Sequence, residues 1–322
     1  MKILFITTKS TKYQGDYFEL TVLNGLKEIL GKNCVDYPRK DVIYHDFSSI
    51  NKKNLHGQGF SILSKPFIDN VERENIFKNN YDFIIYGCGH AYDEEVYVEE
   101  IDKLSENTPW ILDGHDLYGN ASKKTIFNGE EIIGNQFPYS FKREMVFKEK
   151  NVFPSGFGIP ENVIRPIALE KKNQLIQKTY PKYANFENPT DLGGKKDHHL
   201  FDEEDKYYDD LQNSWFGLSC KKGGWDSLRN YEIIASGTLL LYRDFKKKPM
   251  LCSPQNLPAI SYSSPGQLNR IMNKLVINNK PSEKYLRLLR AQREWLYRYG
   301  TTTSRAANIL RVMQNNSTIL NN

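Results

Sequence analysis

The sequence predicts an α/β protein: two Rossmann-like domains facing across a cleft, closed by C-terminal helices. Three observations carry this. Apolar runs of strand length alternate with helical periodicity, over residues 2–30 and again over 215–242. Polar and glycine-bearing segments follow the apolar runs, as they do at the carboxyl edge of a parallel sheet. A Gly/Pro-rich stretch, VFPSGFGIP (Val152–Pro160), divides the chain near its middle. The expected units are 1–157, 158–300, and a C-terminal helix with a frayed tail over 301–322.

Lys2–Thr7 reads as a buried first strand and not as a signal peptide, because its apolar part is short and no cleavage pattern follows. Phe18, Val22, Leu26, Ile29 and Leu30 place a helix over Tyr17–Leu30, which Gly31 ends. The loop between them lacks GxGxxG, which disfavours a nucleotide-dependent oxidoreductase. Cys34–Tyr37 is a short strand, HGQGF (His56–Phe60) a glycine turn, and Ile68–Lys78 an expected helix. Asp82–Tyr86 is a buried strand that leads into Gly87–His90, and Glu94–Leu104 an acidic helix. Pro109–Leu112 is a strand that ends in Asp113-Gly114-His115-Asp116. Residues 161–200 carry no assignable pattern. Asp202–Leu211 is an acidic helix with aromatic residues. Trp215–Ser219 and Thr238–Tyr242 are strands that flank a helix with Asp226 as N-cap and Gly237 as C′ stop. Pro265–Ile277, Ser282–Tyr299 and Thr303–Met313 are helices.

The chain has 322 residues, 39% hydrophobic and 26% charged, with net charge +5 and pI about 8.7. That suits a soluble globular protein and tilts only slightly towards a polyanionic ligand. Cys34, Cys88, Cys220 and Cys252 form no CxxC pair, so they read as reduced thiols of a cytoplasmic protein. No apolar run reaches about 18 residues, so nothing is expected to span a membrane. His198 and His199 are adjacent and cannot converge on one ion, and no metal is expected. Lys246–Lys248 reads as a solvated loop.

Chemistry concentrates in WFGLSCKKGGWDSLRNYEIIASGTLLLYRD (Trp215–Asp244), a strand, basic glycine turn, helix and strand. A helix N-terminus after the first strand of a βαβ unit is a seat for phosphate. Gly223 and Gly224 would let backbone amides approach a diphosphate, flanked by Lys221, Trp225 and Asp226. Arg229 would offset its charge, and Glu232, one turn deeper, would accept hydrogen bonds from two ribose hydroxyls. The plain alternative is an i, i+3 surface pair contributing about 0.3 kcal/mol.

The run GGWDSLRNYEIIASGTLLLYRD resembles the C-terminal nucleotide-sugar site of GT-B glycosyltransferases, closest to the CgeB-like and exostosin-like forms. Their motif is approximately R-x-x-E-x-x-A-x-G, which Arg229, Glu232, Ala235 and Gly237 fill. WILDGHD followed by FKRE (Phe141–Glu144) is similar to the amino-terminal half of the same group. The resemblance implies transfer of a sugar from a nucleotide-sugar co-substrate to a hydroxyl acceptor, without a bound cofactor or metal. Many retaining members carry E-x7-E. Gly224 stands eight residues before Glu232 here, which favours inversion.

Inversion needs a general base on the acceptor side. The resemblance places it in the first domain, where Asp113, His115 and Asp116 come first and His90 next, then Asp16. Asp113 or Asp116 could instead only cap a turn around Gly114. The alternative function is a non-catalytic GT-B-like binding or assembly protein. The acceptor is open among a glycan, a small glycoside, a protein and a modified nucleic-acid base.

Overall fold

The computed structural model describes residues 1–7, 17–46, 55–76, 79–87, 110–114, 125–127, 130–132, 139–178, 184 and 200–320. The chain builds two parallel sheets with helices packed on them.

In the first sheet, β1 (Ile3–Ile6) is wholly buried and is followed by α1 (Tyr17–Leu30). β1 pairs in parallel with β2 (Cys34–Tyr37) on one side and β3 (Phe83–Tyr86) on the other. The chain therefore reverses its direction of travel beside β1, and a crevice opens at such a point. β4 (Trp110–Asp113) follows. After a hairpin of β5 (Thr125–Phe127) and β6 (Glu130–Ile132) come β7 (Tyr139–Lys142) and β8 (Val152–Pro154). The order is β2-β1-β3-β4-β7-β8. Neither β7 nor β8 is expected from the local sequence pattern. β8 takes the first residues of the Gly/Pro stretch, because Val152 can bury against β7 before the glycines begin.

The second sheet holds β9 (Gln174–Ile176), then β10 (Ser214–Cys220) after helix α2 (Glu204–Gln212). Helix α3 (Leu228–Ala235) leads to β11 (Leu239–Arg243) and then β12 (Ile260–Tyr262). All pair in parallel, in the order β12-β11-β10-β9. α4 (Pro265–Leu275) precedes a small hairpin, β13 (Val276–Ile277) with β14 (Lys280–Pro281). α5 (Glu283–Trp295) continues through a π-helical turn, Leu296–Gly300, into α6 (Thr302–Leu320).

α6 returns to the first half. Its Ala306, Ile309, Leu310 and Met313 share one core with Phe18, Val22, Leu23 and Leu26 of α1. A Cβ at Gly25 would lie 2.0 Å from the Thr302 carbonyl oxygen, so the two helices meet where α1 has no side chain. The linker is stitched to this crossing: Ile159 N–H donates to Gly300 O, and Thr302 N–H donates to Ile159 O, each at 2.9 Å. Residues 306–313 thus pack on the first half, and the helix runs to Leu320 where fraying was expected after Met313.

The helix expected over Ile68–Lys78 does not form in the described part, to residue 76. Arg73 is drawn instead onto Asp36 (Nη2 to Oδ1, 2.6 Å) and Asp69 (Nη1 to Oδ2, 2.9 Å), and Asn75 adopts φ 52°. Ion pairs to a buried carboxylate outweigh the few tenths of a kcal/mol per residue that separate helix propensities. Cys34, Cys220 and Cys252 are buried and free, and among the described residues no helix is long and apolar enough to cross a membrane.

Candidate functional site

β10 ends in Cys220, and its carboxyl end is bound to α3 through Ser219 Oγ–H, which donates to Asn230 Oδ1 at 2.7 Å. The glycine turn lies between them. Lys222 N–H donates to Gly224 O at 3.1 Å, which closes the turn. Trp225 is buried and stacks on Tyr242 with centroids 6.2 Å apart, and the Tyr242 hydroxyl donates to its carbonyl at 2.7 Å. Lys221 Nζ sits 5.6 Å over the Trp225 ring. Trp225 therefore forms a wall behind the turn, its face committed to Tyr242 and Lys221. Gly223 is exposed. Gly237, at φ 71°, ends α3 in the left-handed conformation that its C′ position requires.

Asp226 is not the N-cap of α3. Ser227 holds that position, with no side-chain capping bond. Asp226 is buried: Oδ1 accepts from Tyr231 Oη–H at 2.9 Å and Oδ2 from Phe157 N–H at 2.8 Å. The linker approaches so closely that a Cβ at Gly156 would lie 2.7 Å from Asp226 Oδ2. Competition from the linker amide draws this carboxylate off the helix end.

The turn is also gripped from the first half by Arg143 and Glu144, immediately after β7. Glu144 is 0% exposed, and its Oε1 accepts from Asp226 N–H at 3.0 Å. Arg143 donates through Nη1 to Asp226 O at 2.9 Å, and through Nη2 to Gly114 O at 2.9 Å. One guanidinium thus ties the end of β4 to the turn before α3. A Cβ at Gly224 would sit 2.3 Å from Glu144 Oε1. The glycine therefore admits Glu144, and the Asp226 amide expected for a diphosphate is taken by that carboxylate. Burial raises the Glu144 pKa, opposed first by the Asp226 amide and then by Arg143.

Glu232 lies deeper on α3, where the halves meet. It is 7% exposed. Ser61 Oγ–H, from the first half, donates to Oε1 at 2.6 Å, and Tyr207 Oη–H, from α2, donates to Oε2 at 2.6 Å. Burial raises its pKa, opposed by the Ser61 and Tyr207 hydrogen bonds and the charges of Arg229 and Lys222. Arg229 is half-buried beside it. Tyr17, at the start of α1, is pushed up by burial and then by the charge of Glu232, so the carboxyl edge of the first sheet reaches this carboxylate. Tyr207 and Tyr208 are pushed up from the same causes.

On the acceptor side, Asp113 is buried at the end of β4, and its Oδ2 accepts from Lys142 Nζ at 2.6 Å. It stands there as half of a buried ion pair. His90, His115, Asp116 and Asp16 lie outside the described residues, as do His198 and His199. Ser61, Tyr207 and Arg143 were not singled out as site residues in the sequence. Arg143 lies within the FKRE run (Phe141–Glu144), whereas nothing local marks Ser61, 171 positions from Glu232.

No family model and no curated protein matches this chain. Solved structures do. Anabaena HepE in complex with UDP and glucose matches with TM-score 0.53 at 8% identity, over 98% of this chain and 100% of that one. The same protein with UDP matches at TM-score 0.53, and with UDP-glucose at 0.51, at the same identity and coverage. At 8% identity the likeness shows a shared fold, end to end.

Proposed function

We propose that this protein is a GT-B-type glycosyltransferase that moves a sugar from a UDP-sugar to a hydroxyl acceptor. The observation that carries the reading is the placement of R-x-x-E-x-x-A-x-G. Arg229 and Glu232 stand on α3, after the carboxyl end of β10, where both halves converge. The fold is one whose neighbours were solved holding UDP and UDP-glucose, which supports uridine as the base. The finer kinship, with the CgeB-like and exostosin-like group, rests on the motif alone.

In this reading Glu232 accepts from the ribose hydroxyls, and Arg229 with Lys222 offsets the diphosphate as it leaves. Glu144 holds the Asp226 amide, so the exposed Gly223 side of the turn faces the phosphates. Gly224 stands where retaining relatives carry the first Glu of E-x7-E, and the carboxylate that fills this space, Glu144, is tied to the Asp226 amide and Arg143; this supports inversion. The acceptor oxygen attacks the anomeric carbon as a first-half base takes its proton and the UDP oxygen departs with the bonding pair. The Asp113 ion pair moves the weight of that role to His115, Asp116 and His90.

Calorimetry with UDP tests the donor site. Arg229→Ala and Glu232→Ala should each weaken binding about 10- to 100-fold, the value of a hydrogen bond to a charged group. Unchanged affinity in both sinks the assignment.

A further inference from the structure

Leu55–Ser64 belongs to the first half by sequence but is anchored on the second. Ser61 N–H donates to Glu204 Oε1 at 2.6 Å, and Gln58 Nε2–H donates to Phe201 O at 3.1 Å. Asn162 Nδ2–H donates to Ser64 Oγ at 3.1 Å, and the Phe60 ring lies 6.0 Å from that of Tyr207. Ser61 is 0% exposed. Its hydroxyl has one hydrogen, which Glu232 receives, so Tyr208 must donate to Ser61 Oγ across their 2.7 Å contact.

The backbone here is strained. Gln58 (φ 57°) and Ser61 (φ 70°) are both left-handed without being glycine or asparagine. Such residues persist only where surrounding contacts hold them. Those of Ser61 and Phe60 converge on α2 and on the one carboxylate that the proposed function gives to ribose, while Phe201 and Asn162 hold Gln58 and Ser64.

We propose that Leu55–Ser64 gates the donor site: the Ser61 hydroxyl occupies the position of a ribose hydroxyl on Glu232, and nucleotide binding displaces it. This rests on Glu232 being the ribose acceptor. A serine hydroxyl donating at 2.6 Å to Oε1 is chemically the bond that a ribose hydroxyl makes. Both carboxylate oxygens are engaged in this state, one by Ser61 and one by Tyr207. Tyr207 is part of the helix against which α3 packs, whereas Ser61 is carried on a strained segment and is the partner that can leave. Release of strain offsets part of the cost of opening. The movement is transmitted to the first sheet, because the segment crosses under Tyr17: a Cβ at Gly57 would lie 1.6 Å from the Tyr17 hydroxyl oxygen. Nucleotide occupancy is thereby coupled to the mouth of α1, on the acceptor side.

A gate lowers apparent affinity by the fraction of molecules that are open. Ser61→Ala, which removes the competing hydroxyl, should tighten UDP binding about tenfold by calorimetry, the size of one charged hydrogen bond. Glu204→Gln, which loosens the Ser61 amide anchor and leaves Glu232 untouched, should tighten it in the same direction, and decides the matter alone if Ser61→Ala does not fold. In the wild type, UDP should speed hydrogen exchange of the amides at 58–63. If both variants bind UDP no better than wild type while Glu232→Gln binds it more weakly, the gate is wrong and the donor site stands. If Glu232→Gln binds UDP as wild type does, the gate falls together with the function beneath it.

Discussion

Glu144 and Glu232 are both buried carboxylates at the junction of the two halves, and burial raises the pKa of each. Their partners differ in kind. Glu144 is held by a backbone amide and by its neighbour Arg143, groups that cannot leave without moving β7 or the glycine turn. Glu232 is held by two side-chain hydroxyls, one of them on a strained segment. The first arrangement is a joint; in the proposed function the second is an exchangeable seat. A buried charge alone does not mark a ligand site; what marks one is whether its present partners resemble the ligand and can be replaced.

The contrast can be broken most forcefully at Arg143. Arg143→Ala would leave Glu144 buried without its cation and cut the tie from Gly114 to Asp226. A loss of about 3–5 kcal/mol in denaturant unfolding is expected, as for other buried pairs deprived of one partner. A loss under about 1 kcal/mol would mean that this junction is no joint. Gly224→Ala is the milder probe. Its Cβ would meet two side-chain ends, Glu144 Oε1 at 2.3 Å and Arg143 Nη1 at 2.9 Å, which can shift in part. About 1–3 kcal/mol of destabilisation is expected in the same assay. Stability equal to wild type would show that Glu144 does not need the glycine.

The smallest effect separates the two carboxylates by pH. The Glu232 pKa is raised in the fold, so its contribution to stability is full below its unfolded value and is lost as pH rises through the folded one. Under the proposed function nucleotide binding runs the opposite way, because ribose hydroxyls donate best to the ionised form. UDP affinity measured from neutral pH downwards should therefore fall as Glu232 protonates, by less than about tenfold if hydrogen bonding to the neutral acid persists. Flat affinity across that range would place the ribose elsewhere.

Much of the fold was legible because burial writes itself into local pattern. α1 was read to the residue, with Gly31 ending it, and β10, α3, Gly237 and β11 emerged from one stretch of about thirty residues. β7 and β8 were missed because YSFK and VFP are short and are followed by charge and glycine, so no local period exceeds the noise. Asp226 was misplaced as a cap because N-cap preference is worth about 1 kcal/mol, and the Phe157 amide and Tyr231 hydroxyl compete for the same oxygens.

The sequence by itself determined the α/β alternation and the identity of Arg229 and Glu232 as a spaced pair on one helix. These follow from periodicity and from residues within a turn or two of each other. Only the tertiary structure decided what surrounds that pair. It brought Ser61 onto Glu232, Glu144 into the space left by Gly224, and α6 onto Gly25 of the first half. Each of these is a contact between segments tens to hundreds of residues apart. Their partners are chosen by how loops, turns and helices far apart in the chain come together, a condition that no local window contains.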